Sequence, residues 1–307
     1  TAFVLLYQRF FLPITTLGNQ WQTVQAALAG LERIFQVLAL PAQQAPSTDT
    51  VGRSNEAGGA IEMDRVVFGY LPGLAVLNEV SLIVRPGEHV AVVGRTGAGK
   101  TSMLHLLAGL YGPWAGSVRV AGTDPRALSE VDQRRLIGVV PQAVQLFSGT
   151  VRENLTLGDS SVSDEDVRRA AAIAGADRFI AALPRRYETD LGSRIQISGG
   201  QRQLLTLARA LVWDPEVLLL DEGTAAVDSA SEAAFRDALR SAIAGRGRAL
   251  LTVAHRLSTA RDADRVVVMA DGRIVEEGPP EQLVRNGGSF AAMLELEEAG
   301  WEWDADN

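Results

Sequence analysis

The sequence predicts an α/β fold built on a mostly parallel central sheet. From Ile61 onward, short apolar runs alternate with helical segments, a pattern typical of parallel sheets covered by helices. One apolar run, HVAVV, leads into the glycine-rich turn GRTGAGKT and then into the helical stretch SMLHLLAGL. Another apolar run, EVLLLD, ends in acidic residues. Sheets of this kind bind ligands at the carboxyl ends of their strands.

The N-terminal segment, residues 1–40, differs from the rest of the chain. Residues 1–17 are strongly apolar but contain Arg9 and Pro13 and are shorter than the roughly 20 residues of a full membrane span. They fit either the C-terminal end of a transmembrane helix or a buried helix of a soluble domain. A second helix is predicted up to residue 40, with an apolar stripe at spacings of four and three (Val24, Leu28, Leu31, Phe35 and Leu38). This stripe suits ordinary core packing or contact with a partner helix.

The remaining domain boundaries follow from composition. Residues 41–60 are rich in Pro, Gly, Ser and Thr and are predicted to be a linker. Residues 61–298 form the main domain, and residues 299–307 an acidic tail. Within the main domain we expect one helix over residues 162–183 and a single last helix over residues 281–298.

Composition excludes several classes of protein. The net charge of −8 argues against a general nucleic-acid binder, because an anionic ligand would need a local basic pocket. The absence of cysteine excludes disulfides, thiolate zinc sites and cysteine nucleophiles. Histidines 89 and 105 match no motif and are expected to be packing residues.

The glycine-rich turn, residues 94–101, matches the P-loop pattern G-x-x-x-x-G-K-[ST]. Gly94, Gly97 and Gly99 allow backbone N–H groups to converge on a phosphate, and the following helix adds its partial positive charge. Lys100 would reach the outer phosphates and Thr101 would ligate Mg²⁺. A glycine-rich turn that binds nothing is the alternative, and the strand–turn–helix context favours the phosphate site.

Two further stretches point to the same chemistry. Asp221 and Glu222 end a buried strand, where Asp221 would hold Mg²⁺ and Glu222 would orient or deprotonate a water molecule. A pair of surface acids is the alternative. Ser198 begins ISGGQRQ, a turn that opens an amphipathic helix and offers a second potential anion site.

These motifs, in their order along the chain, resemble those of ATP-binding cassette (ABC) proteins, and the resemblance covers roughly residues 61–296. SGGQRQ is similar to the family's signature motif, and LLLDE, whose Asp221 lies 23 residues after Ser198, to its Walker B motif. The resemblance implies that Tyr70 stacks on adenine and that Gln142 senses Mg²⁺. It also implies that Asp228 is the D-loop aspartate and His255 the switch histidine at the γ-phosphate. The implied fold is a P-loop NTPase with an antiparallel β-subdomain and an α-helical signature subdomain.

The resemblance also implies a ligand set. ATP would contact Tyr70 and Gln142. It would also contact the glycine-rich turn and the start of the helix that follows it, which are Gly94, Arg95, Thr96, Gly97, Ala98, Gly99, Lys100, Thr101 and Ser102. Mg²⁺ would be held by Thr101, Gln142 and Asp221, and hydrolysis would use Glu222, His255 and Lys100. A second ABC subunit would be contacted through the signature turn, Ser198, Gly199, Gly200 and Gln201.

LFSGTVRENL, residues 146–155, and the N-terminal ERIFQVLALP are similar to exporter-type ABC proteins in particular. Ile197 replaces the usual Leu of the signature, and GTAAVD replaces the commoner ATSALD. The resemblance implies an ATPase domain fused to a transmembrane domain, on the cytoplasmic side of a bacterial inner or plasma membrane. It implies export of a substrate by ATP-driven dimerisation. The alternatives are a soluble non-transport ABC ATPase, a binding-only subunit of a heterodimer, and an importer ATPase.

Overall fold

A computed structural model describes residues 59–192, 197–221, 229–244, 247–254 and 256–299, and in the N-terminal segment residues 7, 10, 20–21, 24–28, 30–35 and 38–39. The chain divides into two compact units, residues 1–45 and residues 46–307. The described residues of the first unit are helical except for a turn at Ala39, and their large apolar side chains are exposed. Nowhere in the described ranges is there a helix long and apolar enough to cross a membrane. The predicted domain boundaries and the membrane interpretation of residues 1–17 stay predictions.

The second unit begins with a three-stranded antiparallel sheet in the order β2-β1-β4. Its strands are β1 (Ile61–Phe68), β2 (Leu77–Val84) and β4 (Ala115–Val120). Buried and exposed residues alternate over much of β2, as expected for a strand with one face on the core. Met63 pairs with Leu82 on one side and Val118 on the other. The buried side chains of this sheet share a core with the main sheet.

The main sheet has six strands in the order β5-β6-β7-β3-β8-β9. β3 (His89–Val93), β5 (Ile137–Val140), β6 (Val217–Asp221), β7 (Ala249–Val253) and β8 (Arg265–Ala270) are parallel, so their carboxyl ends share one edge. β9 (Arg273–Gly278) is antiparallel to β8. Their two-residue turn, Asp271-Gly272, has positive φ at both positions, as type I′ hairpins require.

Helices cover both faces of this sheet. They are α1 (Lys100–Leu107), α2 (Glu130–Leu136), α3 (Val151–Thr156), α4 (Asp164–Ile173), α5 (Asp177–Ala182), α6 (Gly199–Leu211), α7 (Ser229–Ala244), α8 (Leu257–Arg261), α9 (Pro280–Asn286) and α10 (Ser289–Glu298). Short 3₁₀ helices occupy Pro125–Ala127 and Arg186–Glu188. α3, α4 and α5 pack with α6 into a helical subdomain with its own buried cluster, and this cluster also includes side chains of β6.

The α/β class, the mostly parallel core, the antiparallel β-subdomain and the helical subdomain are confirmed. Two predicted helices are each divided in two. Residues 162–183 hold α4 and α5 because Gly175 has φ of 67° and ends the first of them. Residues 281–298 belong to α9 and α10, which are separated at Gly287, also with φ of 67°. Left-handed glycines of this kind end helices because they carry no Cβ.

Candidate nucleotide-binding site

The loop between β3 and α1 has a backbone that only glycine adopts readily. Gly94, Gly97 and Gly99 have φ values of 151°, 83° and 98°. A Cβ on Gly94 would overlap the carbonyl oxygen of Met269 on β8. A Cβ on Gly99 would lie 2.6 Å from Leu77 Cδ2. The glycines therefore serve both the curl of the loop and its close approach to neighbouring strands.

Lys100 is folded back over this loop. Its Nζ donates hydrogen bonds to the carbonyl oxygens of Gly94 and, at 3.1 Å, of Arg95. The residue is only 5% exposed. A buried ammonium placed at the N-terminus of α1 creates a compact positive site, which suits a phosphate group. The sequence contains no second lysine, so the other 28 basic residues are arginines.

Asp221 and Gln142 lie at the same edge of the sheet as the loop. Asp221 is the last residue of β6, and α1 packs against β6. Gln142 is exposed and follows β5, the strand next to β6. Thr101, in the first turn of α1, is partly buried. Within the described ranges no group of three His, Cys, Asp or Glu residues could hold a metal ion.

Tyr70 lies beside α1, two residues after β1. Its hydroxyl is 3.0 Å from Ser102 Oγ and 3.0 Å from His105 Nδ1. Its ring meets Phe68 and Tyr111 edge to face, with centroids 5.0 Å and 5.2 Å away. The residue nevertheless remains 46% exposed, so part of its ring is open to a ligand.

The signature turn, Ser198 to Gln201, forms the N-terminus of α6. The Gln201 N–H donates to Ser198 Oγ at 3.2 Å, and the Ser198 N–H donates to Gln201 Oε1 at 3.1 Å. This reciprocal capping box fixes the start of the helix. Gly200 is buried, and a Cβ there would lie 2.5 Å from Ser231 Cβ on α7. Glycine is therefore needed for the close contact of the two helices.

The segment after Gln142 is attached to the helical subdomain by Arg209 and Asn154. Arg209 donates to the carbonyl oxygens of Asn154 at 2.8 Å and Gln145 at 3.0 Å, and to Asn154 Oδ1 at 3.1 Å. Its guanidinium also lies over the Phe147 ring, 5.1 Å from the centroid. Burial lowers the pKa of Arg209. Asn154, 1% exposed, exchanges two hydrogen bonds with the Phe147 backbone.

Three predicted site residues, Glu222, Asp228 and His255, lie outside the described residues. Their described neighbours are joined by an ion pair. Arg256, which follows His255, donates to Glu232 on α7 at 2.5 Å. The pair connects the segments on either side of β7.

The structure adds one residue that sequence reasoning missed, His105. It belongs to no motif, and its contact with Tyr70 spans 35 residues of sequence. A signal was available, because Ser102 and His105 are three residues apart and share one face of α1.

Comparison with known proteins agrees with this geometry. Residues 77–225 match the family model described as ABC transporter. The chain is 36% identical, over 95% of its length and 46% of the relative, to a fatty acid ABC transporter ATP-binding/permease protein of Mycobacterium bovis. It is 37% identical, over 97% of its length and 48% of the relative, to an ATP-dependent lipid A-core flippase of Syntrophus aciditrophicus.

A solved structure of a bacterial Atm1-family ABC exporter with ATP bound superimposes with a TM-score of 0.74 at 32% identity. That match covers 94% of this chain and 50% of the exporter chain. The chain thus spans about half the length of the curated relatives it matches. Residues 77–225 therefore carry the ABC transporter domain, and the chain resembles the exporter-type members of that family.

Proposed function

We propose that this chain binds and hydrolyses ATP, and that hydrolysis powers the export of a substrate across a membrane. The observation that carries the proposal is the P-loop itself. Its curled backbone and the folded-back Lys100 lie at the same sheet edge as Asp221. Phosphate-binding loops act by directing backbone N–H groups and one ammonium at the phosphate oxygens.

In this proposal the loop residues hold the phosphates. The backbone of Gly94, Arg95, Thr96, Gly97, Ala98 and Gly99 surrounds the β- and γ-phosphates. Lys100 exchanges its carbonyl partners for the outer phosphate oxygens, a stronger interaction because both partners are charged. Ser102 lies beside the α-phosphate end, and the open part of the Tyr70 ring receives the adenine base.

Thr101, Asp221 and Gln142 would hold Mg²⁺. Their donors are a hydroxyl, a carboxylate and an amide oxygen, the hard ligands that Mg²⁺ prefers alongside phosphate oxygens. The ion would neutralise negative charge on the phosphates. One carboxylate suffices at such a site because the nucleotide supplies further oxygen ligands.

Glu222 follows Asp221 directly, so we propose that it acts on the attacking water molecule. It would accept the proton of that water, or orient it, for in-line attack on the γ-phosphate. His255 would contact the γ-phosphate, and Asp228 would lie at the contact with a second subunit.

The signature turn would complete the site of a second ABC subunit. Ser198 Oγ accepts a hydrogen bond from Gln201, so its own proton is left to donate to a phosphate. Gly199 and Gly200 have no side chains of their own that could block the backbone N–H groups at the start of α6. ATP would then be enclosed between two such domains. We propose that this domain faces the cytoplasm, attached to a transmembrane domain of the same polypeptide.

The test compares Glu222→Gln with Glu216→Gln, a matched change at the opposite end of β6. ATP turnover and ATP-dependent dimerisation by size exclusion are measured for both and for wild type. We expect Glu222→Gln to bind ATP, to dimerise and to hydrolyse ATP hardly at all, while Glu216→Gln behaves as wild type. Wild-type turnover by Glu222→Gln would remove Glu222 from its role.

ATP turnover of the wild-type chain and the detergent requirement of the full polypeptide separate the alternatives. A binding-only subunit would bind ATP with no measurable turnover in the wild-type chain. For a soluble non-transport ATPase, the full polypeptide would purify without detergent. The exporter proposal requires turnover by the wild-type chain and detergent dependence of the longer polypeptide.

A further inference from the structure

The hydroxyl of Tyr70 has two partners on one face of α1. Ser102 Oγ and His105 Nδ1 each lie 3.0 Å from it. Ser102 is 6% exposed and belongs to the first turn of the helix that begins at the phosphate loop. The far end of the Tyr70 side chain is therefore attached to the same rigid element that holds Lys100.

The Tyr70 ring is also enclosed laterally. Phe68, Tyr111 and His105 meet it at interplanar angles of 78°, 88° and 78°, with centroids 5.0 Å, 5.2 Å and 6.4 Å away. Edge-to-face contacts of this kind are favourable and directional. With three ring neighbours and two hydroxyl partners, the ring has a defined orientation before any ligand arrives. Its 46% exposure leaves room for a planar ligand.

We propose that His105 is a positioning residue for ATP. Through its contact with the Tyr70 hydroxyl it holds the ring in the orientation that receives the adenine base. The inference rests on the proposed function, and it adds a residue outside every motif of the chain. Its physical basis is preorganisation, because a ring already fixed in place loses less side-chain entropy when the nucleotide binds.

Without His105 the Tyr70 hydroxyl would keep only Ser102, and the ring would lose one of its three neighbours. Ordering one free side chain on binding typically costs about two- to tenfold in affinity. His105→Leu should therefore weaken ATP binding by about that factor. His105→Asn should retain most of the affinity, since its amide places a hydrogen-bonding atom near the position of Nδ1.

The test uses the 307-residue chain and displacement of N-methylanthraniloyl-ATP by ATP at equilibrium. Wild type, His105→Leu, His105→Asn, Tyr70→Phe and the double variant Tyr70→Phe/His105→Leu are compared, with melting temperatures as the check on folding. If His105 acts through the tyrosine hydroxyl, the double variant binds ATP as Tyr70→Phe does. In turnover assays, KM for ATP should rise in His105→Leu by more than kcat falls.

Wild-type affinity in His105→Leu would overturn the proposal. Independent, additive losses in the double variant would do the same. Tyr70→Leu separates this inference from the proposed function. Wild-type affinity in Tyr70→Leu would remove the tyrosine from the base site altogether. Weak binding by Tyr70→Leu together with normal binding by His105→Leu would reject only the role of His105.

Discussion

Arg209→Met should weaken the attachment of the segment after Gln142 to the helical subdomain. Arg209 donates three hydrogen bonds at 2.8 Å to 3.1 Å to Asn154 and Gln145, and it covers the Phe147 ring. Methionine preserves much of the aliphatic stem but none of the donors. The substitution therefore tests the polar contacts with little change in packing.

The expected magnitude follows from those contacts. Hydrogen bonds from a charged donor contribute about 1.5–3 kcal/mol each, and losing them leaves the acceptors of buried Asn154 without this partner. Burial of the guanidinium, which lowers the pKa of Arg209, offsets part of the gain. We expect a net loss of about 2–4 kcal/mol in the free energy of unfolding, because such terms are not additive. For a domain of this size, that is a fall in Tm of roughly 4–16 °C.

The assay is urea unfolding of Arg209→Met beside Arg202→Met. Arg202 lies on the same helix but is exposed, so its loss should change the unfolding free energy by less than about 0.5 kcal/mol. Equal stability of the two variants would refute the proposed attachment. A lower m-value without a lower midpoint would also contradict it, because the change would then lie in compactness rather than stability.

Two other predictions concern helix contact and pH. Gly200→Ala should push α6 away from α7 and lower ATP turnover, while ATP binding at the P-loop persists. Adding Ser231→Gly to this variant should restore part of the turnover. Unchanged ATP turnover in Gly200→Ala would contradict the close contact of the two helices. Burial lowers the pKa of His89, against the opposing effect of Asp264. The neutral ring therefore contributes stability above the unfolded pKa of about 6.5, and that contribution declines as pH falls through the folded value. The loss of unfolding free energy between pH 7.5 and 5.5 should be smaller in His89→Gln, and an unchanged slope would contradict this.

Those parts of the site that are contiguous in sequence could be predicted from it. The turn between residues 94 and 101 holds its glycines, lysine and threonine on one loop, so its motif alone specifies the backbone. The capping box of Ser198 and Gln201 is equally local. The position of Asp221 was predictable because the four apolar residues before it indicate a buried strand of a parallel sheet. Asp221 ends that strand and therefore lies at the carboxyl edge of the sheet.

Features that depend on tertiary contact could not be predicted from the sequence. The role of Gly200 depends on Ser231, which lies on another helix. His105 meets Tyr70 only because β1 and α1 bring them together. The helix breaks at Gly175 and Gly287 were missed because the apolar and charged pattern continues through them. A single glycine inside a helical pattern does not reveal the sign of its φ angle.

The most direct test of the central claim uses the single lysine of the chain. Labelling with ¹³Cε-lysine gives one side-chain lysine signal, from Lys100, which reports on the P-loop alone. Titration with ATP and Mg²⁺ should shift this signal saturably as the ammonium moves from loop carbonyls to phosphate oxygens. A Lys100 signal that stays unchanged through the titration would contradict ATP binding at this loop.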